Sequence, residues 1–157
     1  MDMLGLLGFF AAAFVVASSG ALFRPGPWYA ALRKPAWCPP NWLFAPAWSV
    51  LYVLIAIAGW LVWRDVGFAA AAPAFIVYAL QLVLNAGWSG IFFGMRRMDL
   101  ALYELMLLWL SIAATIVAFS AHHLGAALLM TPYLAWVTFA GVLNYTMMRL
   151  NPRESHT

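Results

Sequence analysis

The chain has 157 residues, of which 66% are hydrophobic, 17% aromatic and only 8% charged, and its net charge is +3. A soluble domain carries about 25% charged residues, so this composition cannot cover a surface that faces water. The few basic residues are not interleaved for binding nucleic acid, and the one cysteine, Cys38, excludes an internal disulfide and leaves no metal-ligand spacing. The bilayer is therefore the predicted solvent of this protein.

Runs without a charged residue mark the predicted membrane spans. They cover residues 3–23, 35–63, 66–95 and 105–148. About 20 apolar residues cross the hydrocarbon core, so the last run is long enough for two helices, and it breaks at the segment SAHHLG, residues 120–125. We predict a single all-α domain over residues 1–157, an integral membrane bundle of five helices at roughly 3–23, 43–63, 69–94, 98–120 and 125–149.

Loop 1, which joins the first two predicted spans over residues 24–42, is unusually rich in proline and tryptophan. The stretch KPAWCPPNWLFAPAW, residues 34–48, holds four prolines and three tryptophans. Proline restricts its own backbone and that of the preceding residue to extended geometry, at a low entropic cost of ordering. A segment so stiff that also carries Trp37 and Trp42 is predicted to be a lid over one mouth of the bundle.

Polar and aromatic residues repeat along one face of three predicted spans. In the third span Tyr78, Gln81, Asn85, Trp88 and Phe92 follow at spacings of 3, 4, 3 and 4, which is one side of a helix. The second and fifth spans carry similar positions, namely Trp48, Tyr52, Tyr133, Trp136 and Asn144. Because polar groups inside a membrane are costly, their convergence near loop 1 favours a pocket there. Amides that merely join packed helices remain the alternative.

Ionisable residues are missing from the centre of every predicted span. Asp99 and Glu104 fall in the first turns of the fourth span, where the helix dipole favours anions, and we interpret both as structural. Proton-coupled transporters usually keep an ionisable group at midplane, so this pattern disfavours that class. The adjacent His122 and His123 on an outer turn are interpreted as solvated.

Three small residues of the third span are spaced four apart. Ala86, Gly90 and Gly94 form a ridge that lets another helix approach closely, and it predicts a homodimer interface. Packing of this ridge against a neighbour in the same bundle is the alternative interpretation.

Basic residues are distributed unequally between the two predicted sides of the membrane. Seven of the eight Lys and Arg residues fall in loop 1, in the loop between the third and fourth spans or in the C-terminal tail, and only Arg64 falls opposite. Cytoplasmic loops are enriched in Lys and Arg. This bias predicts an outside N-terminus, with loop 1 and the C-terminus in the cytoplasm.

Four segments resemble the TspO/MBR family, the tryptophan-rich sensory proteins and the translocator protein once called the peripheral benzodiazepine receptor. They are WYAALRKPAWCPPNW (28–42), AWSVLY (47–52), QLVLNAGWSGIFFG (81–94) and PYLAWVTFAGVLN (132–144), and they follow in the right order over nearly the whole chain. The resemblance implies a five-helix bundle, usually dimeric in bacteria. It also implies that protoporphyrin IX and other haem-type tetrapyrroles, as well as sterols or benzodiazepine-type drugs, bind under loop 1.

The resemblance also implies roles for individual residues. Trp48 and Trp136 match the tryptophans that flank the family's ligand, Asn85 matches its polar pocket residue, and Tyr29 matches the loop tyrosine that closes on the ligand. Trp88 stands where smaller aromatics can occur, and it is expected to narrow the pocket. The family's sterol-recognition segment maps onto LNYTMMR, that is, Leu143, Tyr145 and Arg149. The full predicted ligand-binding set is Tyr29, Trp37, Trp42, Trp48, Tyr52, Gln81, Asn85, Trp88, Tyr133, Trp136 and Asn144.

Two functions follow as expectations. The first is a membrane receptor or carrier of tetrapyrroles with a role in porphyrin regulation or transport. The second is an enzyme that degrades porphyrin with light and oxygen, in which Trp48 and Trp136 would be the residues at the reacting pigment. No required cofactor and no acid–base or metal constellation is predicted, since the bound pigment would supply the chemistry itself.

Overall fold

The computed structural model describes residues 2–154 of the chain, and 84% of these residues are helical. The helices are α1 Asp2–Leu22, α2 Pro27–Ala31, α3 Asn41–Ala70, α4 Ala72–Ser89, which continues as a π-helical turn at Gly90–Gly94, α5 Met98–Ser120 and α6 Leu124–Leu150. All of them except α2 are long and apolar enough to cross a membrane. The predicted all-α fold with five membrane-spanning helices is confirmed.

Each long helix packs mainly against two others, in the cyclic order α1, α3, α6, α5, α4. The half of the bundle away from loop 1 is filled by fully buried side chains, among them Ile55, Val62, Ile112, Phe119 and Met130. A second, smaller core lies beneath loop 1 around Tyr29, Phe92, Met98 and Met147. The bundle is therefore packed solid at one end and leaves its open space at the other.

The second span is the one whose predicted end differs most from the structure. Helix α3 continues past residue 63 to Ala70 and includes Arg64 and Asp65, whose charged groups lie 3.5 Å apart. The backbone leaves helical geometry at Gly67, where φ is 76° and ψ is 173°. Charged side chains at a membrane surface do not end a helix, whereas a glycine with positive φ breaks the run of helical dihedrals.

Loop 1 is partly helical and only partly extended. Helix α2 begins with Pro27 in its first turn, where the fixed φ of proline suits a helix and its missing N–H costs nothing. The backbone is extended at Leu32 and again at Pro40, which precedes α3. The stiffening role of the loop prolines stays a prediction, and the short helix α2 was not predicted.

His123 has a structural role in the turn between α5 and α6 that its interpretation as solvated did not include. Its Nδ1 accepts a hydrogen bond from the backbone N–H of Ala126 at 3.0 Å and thereby caps α6. Its Nε2 lies 3.7 Å from the Asp65 carboxylate at the end of α3. A side-chain cap satisfies a backbone donor that the first turn of a helix leaves free.

The small-residue ridge packs within the bundle at two of its three positions. A Cβ added at Gly94 would lie 2.9 Å from the ring of Phe23, which follows α1, and one added at Gly90 would lie 3.4 Å from the same ring. These glycines thus admit an aromatic side chain of their own chain, as the alternative interpretation held. A homodimer through Ala86, Gly90 and Gly94 stays a prediction.

Candidate functional site

A cavity of about 480 Å³ lies beneath loop 1, within the range of known small-molecule sites. Its wall comes from the end of α1, from α2 and from the facing sides of α3, α4, α5 and α6. Aromatic side chains dominate it, namely Phe23, Tyr29, Phe44, Trp48, Tyr52, Trp88, Phe92, Phe93 and Trp136. Seven of the predicted ligand residues line this space, and they are Tyr29, Trp48, Tyr52, Asn85, Trp88, Trp136 and Asn144.

Two consecutive hydrogen bonds that join three helices form the floor of the cavity. The hydroxyl of Tyr52 on α3 donates to Oδ1 of Asn85 on α4 at 2.7 Å, and Nδ2 of Asn85 donates to the hydroxyl of Tyr133 on α6 at 2.6 Å. Tyr52 and Asn85 border the cavity, whereas Tyr133 is fully buried below it. The amide therefore both joins the helices and presents its remaining hydrogen-bonding capacity to the space above.

Trp88 and Asn144 form a second polar link higher in the wall. The Trp88 Nε1–H donates to Oδ1 of Asn144 at 3.3 Å, and Nδ2 of Asn144 donates to the backbone carbonyl of Met98 at 2.9 Å. The Trp88 ring also stacks on Phe92, with ring centroids 5.0 Å apart. The indole is thus held from two sides and presents a fixed aromatic surface to the cavity.

Two tryptophans from different helices meet in the cavity. The ring centroids of Trp48 on α3 and Trp136 on α6 lie 6.3 Å apart with the planes at 84°, an edge-to-face contact. Nε1 of Trp136 is buried and has no hydrogen-bond partner among the described residues. A buried indole N–H normally finds an acceptor, so this donor is available to a polar atom of a ligand.

Four predicted ligand residues do not line the cavity. Trp42 is 72% exposed, and Trp37, which is 47% exposed, packs edge-on against Phe139 on α6. Gln81 and Tyr133 are fully buried below the floor. Periodicity places these two on the correct faces, but the depth at which the cavity ends depends on how the other helices fill the core.

Loop 1 is held down as a lid by contacts at Tyr29 and Lys34. The Tyr29 ring is 3% exposed and packs edge-on against Phe92 and Phe93. Lys34 Nζ donates to the carbonyls of Tyr29 at 2.7 Å and Leu32 at 3.2 Å, which satisfies the end of α2. Burial, with a smaller contribution from the Cys38 thiol, raises the pKa of Tyr29 above its usual value, so its hydroxyl is neutral at physiological pH.

Asn151 fastens the lid to the end of α6, and sequence reasoning missed it. Its Oδ1 accepts from the backbone N–H of Arg33 at 2.8 Å, and its Nδ2 donates to the Arg33 carbonyl at 2.8 Å and to that of Met147 at 2.8 Å. Asn151 is 5% exposed. The Asn-Pro pair after the last span indicates a helix end, but no local signal connects two residues that are 118 positions apart.

The three residues of the sterol segment divide between two surfaces. Leu143 lines the cavity, whereas Tyr145 and Arg149 lie on the outer side of α6, where Arg149 Nη1 donates to the Tyr145 hydroxyl at 3.0 Å. Tyr145 borders an apolar groove of about 410 Å³ between α5 and α6, together with Trp109, whose Nε1–H donates to Thr138. Residues two apart on a helix point to nearly opposite sides, which explains the division.

The sequence profile of the TspO/MBR family matches residues 7–150. The chain belongs to the TspO/MBR family. It is similar to "Protein CrtK" of Rhodobacter capsulatus, with 43% identity over 93% of this chain and 92% of that protein. It is also similar to the "Tryptophan-rich sensory protein" of Cereibacter sphaeroides, with 44% identity over 96% of this chain and 94% of the relative. Membership of this family agrees with the resemblance carried by the four sequence segments.

The chain is also similar to a mammalian member of the family. The "Translocator protein" of Bos taurus is 44% identical over 79% of this chain and 75% of its own length. The names of these TspO/MBR relatives and the five spans together support a membrane protein with a receptor-like role. The cavity beneath loop 1 is the part of this family member that could perform such a role.

Proposed function

We propose that the protein is a membrane receptor or carrier that binds tetrapyrroles of the protoporphyrin IX or haem type in the cavity beneath loop 1. The observation that carries this proposal is the edge-to-face pair of Trp48 and Trp136 on the wall of a cavity beneath loop 1, which Asn151 holds in place. A flat conjugated ring gains most from large, rigid aromatic faces, and tryptophan supplies these with few rotors. Benzodiazepine-type drugs, which carry aromatic rings, would use the same surfaces.

Arg24 offers a partner for the acidic side chains of such a pigment. It lies on the cavity rim just after α1, and of its guanidinium hydrogen-bond donors Nε is bound to the Ala21 carbonyl at 3.0 Å. Sequence analysis used Arg24 only as a topology signal. An arginine at the mouth can bind a carboxylate through two parallel hydrogen bonds while the rings stack below.

The proposed binding is tested by titrating the purified protein in lipid nanodiscs with protoporphyrin IX in the dark. Saturable quenching of tryptophan fluorescence is expected, because several indoles would lie against an absorbing ring. Absence of saturable quenching by protoporphyrin IX would contradict the proposed function.

Photo-oxidative breakdown of the pigment is the second candidate function, and one observation favours it. Trp48 and Trp136 both face the cavity, so an excited porphyrin there would touch two oxidisable indoles. Illuminating the same samples in air distinguishes the two functions. An enzyme would convert the pigment to a new product, and Trp48→Phe or Trp136→Phe would abolish the conversion, whereas a receptor or carrier would leave the pigment unchanged.

A sterol is the proposed second ligand, and the groove between α5 and α6 is its proposed site. The groove combines the apolar face of Trp109 with the Tyr145 hydroxyl and the Arg149 guanidinium near one end. A sterol has the same distribution, a flat apolar body with one terminal hydroxyl. This proposal transfers the family's sterol segment to an outer surface of the bundle rather than to the cavity.

The proposed orientation has loop 1 and the C-terminus in the cytoplasm and the N-terminus outside. Cys38 in loop 1 is the chain's one thiol and is half-buried, so it reports on this directly. A membrane-impermeant maleimide should label it in sealed inside-out vesicles and leave it unlabelled in right-side-out ones, with detergent-opened vesicles as the control for reactivity. Labelling confined to the outer face would reverse the assignment.

The proposed homodimer through Ala86, Gly90 and Gly94 needs a variant that spares the bundle itself. Gly90→Leu alone would also press on Phe23, so we pair it with Phe23→Ala, which removes the ring that a Gly90 Cβ would approach to 3.4 Å. If Gly90 lies at the interface, the double variant should stay monomeric in size-exclusion chromatography with light scattering. If the dimer forms in the double variant as in the unaltered protein, this ridge is not the interface.

A further inference from the structure

The carboxyl group of Glu104 is buried inside a membrane-spanning helix. Both of its oxygens are inaccessible, and neither has a hydrogen-bond partner among the described residues, although the residue as a whole is half-buried. Glu104 is the seventh residue of α5, so it lies about 9 Å along the helix axis from Met98. The interpretation of Glu104 as a structural anion at the start of the helix does not account for this environment.

Asp99, near the start of the same helix, has the charged partner that a structural anion needs. Arg97 donates to its carboxylate twice, from Nε at 2.9 Å and from Nη2 at 2.8 Å. This hydrogen bonding raises the pKa of Arg97. Within residues 2–154, no ion pair includes Glu104.

The helices packed against α5 bring no cation to Glu104. Helix α4 contains no charged residue. Its closest approach to the carboxyl group is at Gly87, where an added Cβ would lie 3.5 Å from Oε1 of Glu104. Helix α6 contains one charged side chain, Arg149, which binds Tyr145 on the outer side. The titratable group that α6 places in the floor of the cavity, the Tyr133 hydroxyl, is hydrogen-bonded to Asn85.

An ionised carboxylate without a partner is very costly in such surroundings, and a buried acid takes up a proton instead. We propose that Glu104 is a proton-binding site of the transmembrane bundle and that its carboxyl group is protonated, and so neutral, in the folded bundle. The site lies behind the cavity wall, because Gly87 stands between the cavity-lining residues Asn85 and Trp88, and Leu105 next to Glu104 also lines the cavity. The bundle thus contains an unpaired buried acid in the part of α5 nearer to Met98.

Dicyclohexylcarbodiimide tests this site directly, because it is apolar and reacts with protonated carboxyl groups. The carboxyl proton passes to a carbodiimide nitrogen while the carboxylate oxygen adds to the central carbon, and the adduct rearranges to a stable N-acylurea with no leaving group. In lipid nanodiscs, peptide mass spectrometry should find the adduct on Glu104, with much less at about pH 9 than at about pH 6. Asp99, paired with Arg97, should remain unlabelled. Glu104 unlabelled at about pH 6, or labelled no more than Asp99, would overturn the proposal.

The variant Glu104→Gln gives an independent measurement, with Asp99→Asn as its control. The folded bundle accommodates only the neutral carboxyl group of Glu104, whereas the unfolded chain accommodates the ionised form as well. The unfolding midpoint of the unaltered protein should therefore fall as pH rises from about 5 to about 9. The unfolding midpoint of Glu104→Gln should fall by less over this pH range, and that of Asp99→Asn should show the full decrease attributed to Glu104. An equal decrease in Glu104→Gln and the unaltered protein would contradict the proposal. Should Glu104→Gln fail to fold, labelling of the unaltered protein still decides the matter.

Discussion

Replacing Trp48 or Trp136 by alanine should weaken the binding of protoporphyrin IX about fivefold in each case, while the helical content stays unchanged. Each substitution removes one aromatic face from the cavity wall, and the loss of such a contact costs about 1 kcal/mol. The two rings touch each other, so the double variant should lose an amount that differs from the sum of the single losses. Fluorescence titration in nanodiscs, with circular dichroism for helicity, measures both quantities.

The matched controls are tryptophans outside the cavity. Trp42→Ala changes a residue that is 72% exposed at the start of α3, and Trp60→Phe changes one further along α3 whose ring contacts Arg64. Both variants should bind with the affinity of the unaltered protein. If Trp48→Ala and Trp136→Ala also bind normally, the pigment does not occupy the cavity beneath loop 1.

Replacing Asn151 by alanine should loosen the lid and expose loop 1 to protease about tenfold more often. The substitution removes both hydrogen bonds between Asn151 and the Arg33 backbone. The N–H and carbonyl of Arg33 lose these partners, which should destabilise the docked loop by about 1–2 kcal/mol. Loop 1 contains one bond that trypsin readily cuts, Arg33–Lys34, because Arg24 and Lys34 are each followed by proline. The rate of cleavage after Arg33 therefore measures how often the lid opens.

Two comparisons isolate the effect of the Asn151 clamp. The unaltered protein at the same protease concentration gives the first reference rate. Thr146→Ala is the control on the outer face of α6, where the hydroxyl bonds only to the Val142 carbonyl of its own helix. Equal cleavage after Arg33 in Asn151→Ala and in the unaltered protein would mean that Asn151 does not hold the lid. Saturating protoporphyrin IX should slow this cleavage if the lid closes over a ligand.

The number of membrane-spanning helices, most of their approximate ends and the faces that carry the cavity were accessible from sequence alone. Spans are long uncharged runs, and the break in the longest run falls where α5 ends and α6 begins, at Ser120 and Leu124. Asn85, Trp88 and Trp136 were placed correctly because a helical period of 3.6 residues brings them to one side of their helices. Hydropathy and periodicity are local properties of the chain, and in a bilayer they are strongly constrained by the need to satisfy every backbone polar group within a helix.

The depth of the cavity, the fastening of its lid and the partners of the small and acidic residues were decided by the tertiary structure. Gln81 shares a face with Asn85 yet lies below the cavity, Gly94 meets the ring of Phe23, and Asn151 reaches Arg33 from the other end of the chain. Asp99 is paired with Arg97, whereas Glu104, five residues later, is enclosed beside Gly87 without a cation. The rotation and height of one helix against another depend on the close packing of side chains from distant segments, and that information is spread over the whole sequence rather than contained in any one stretch of it.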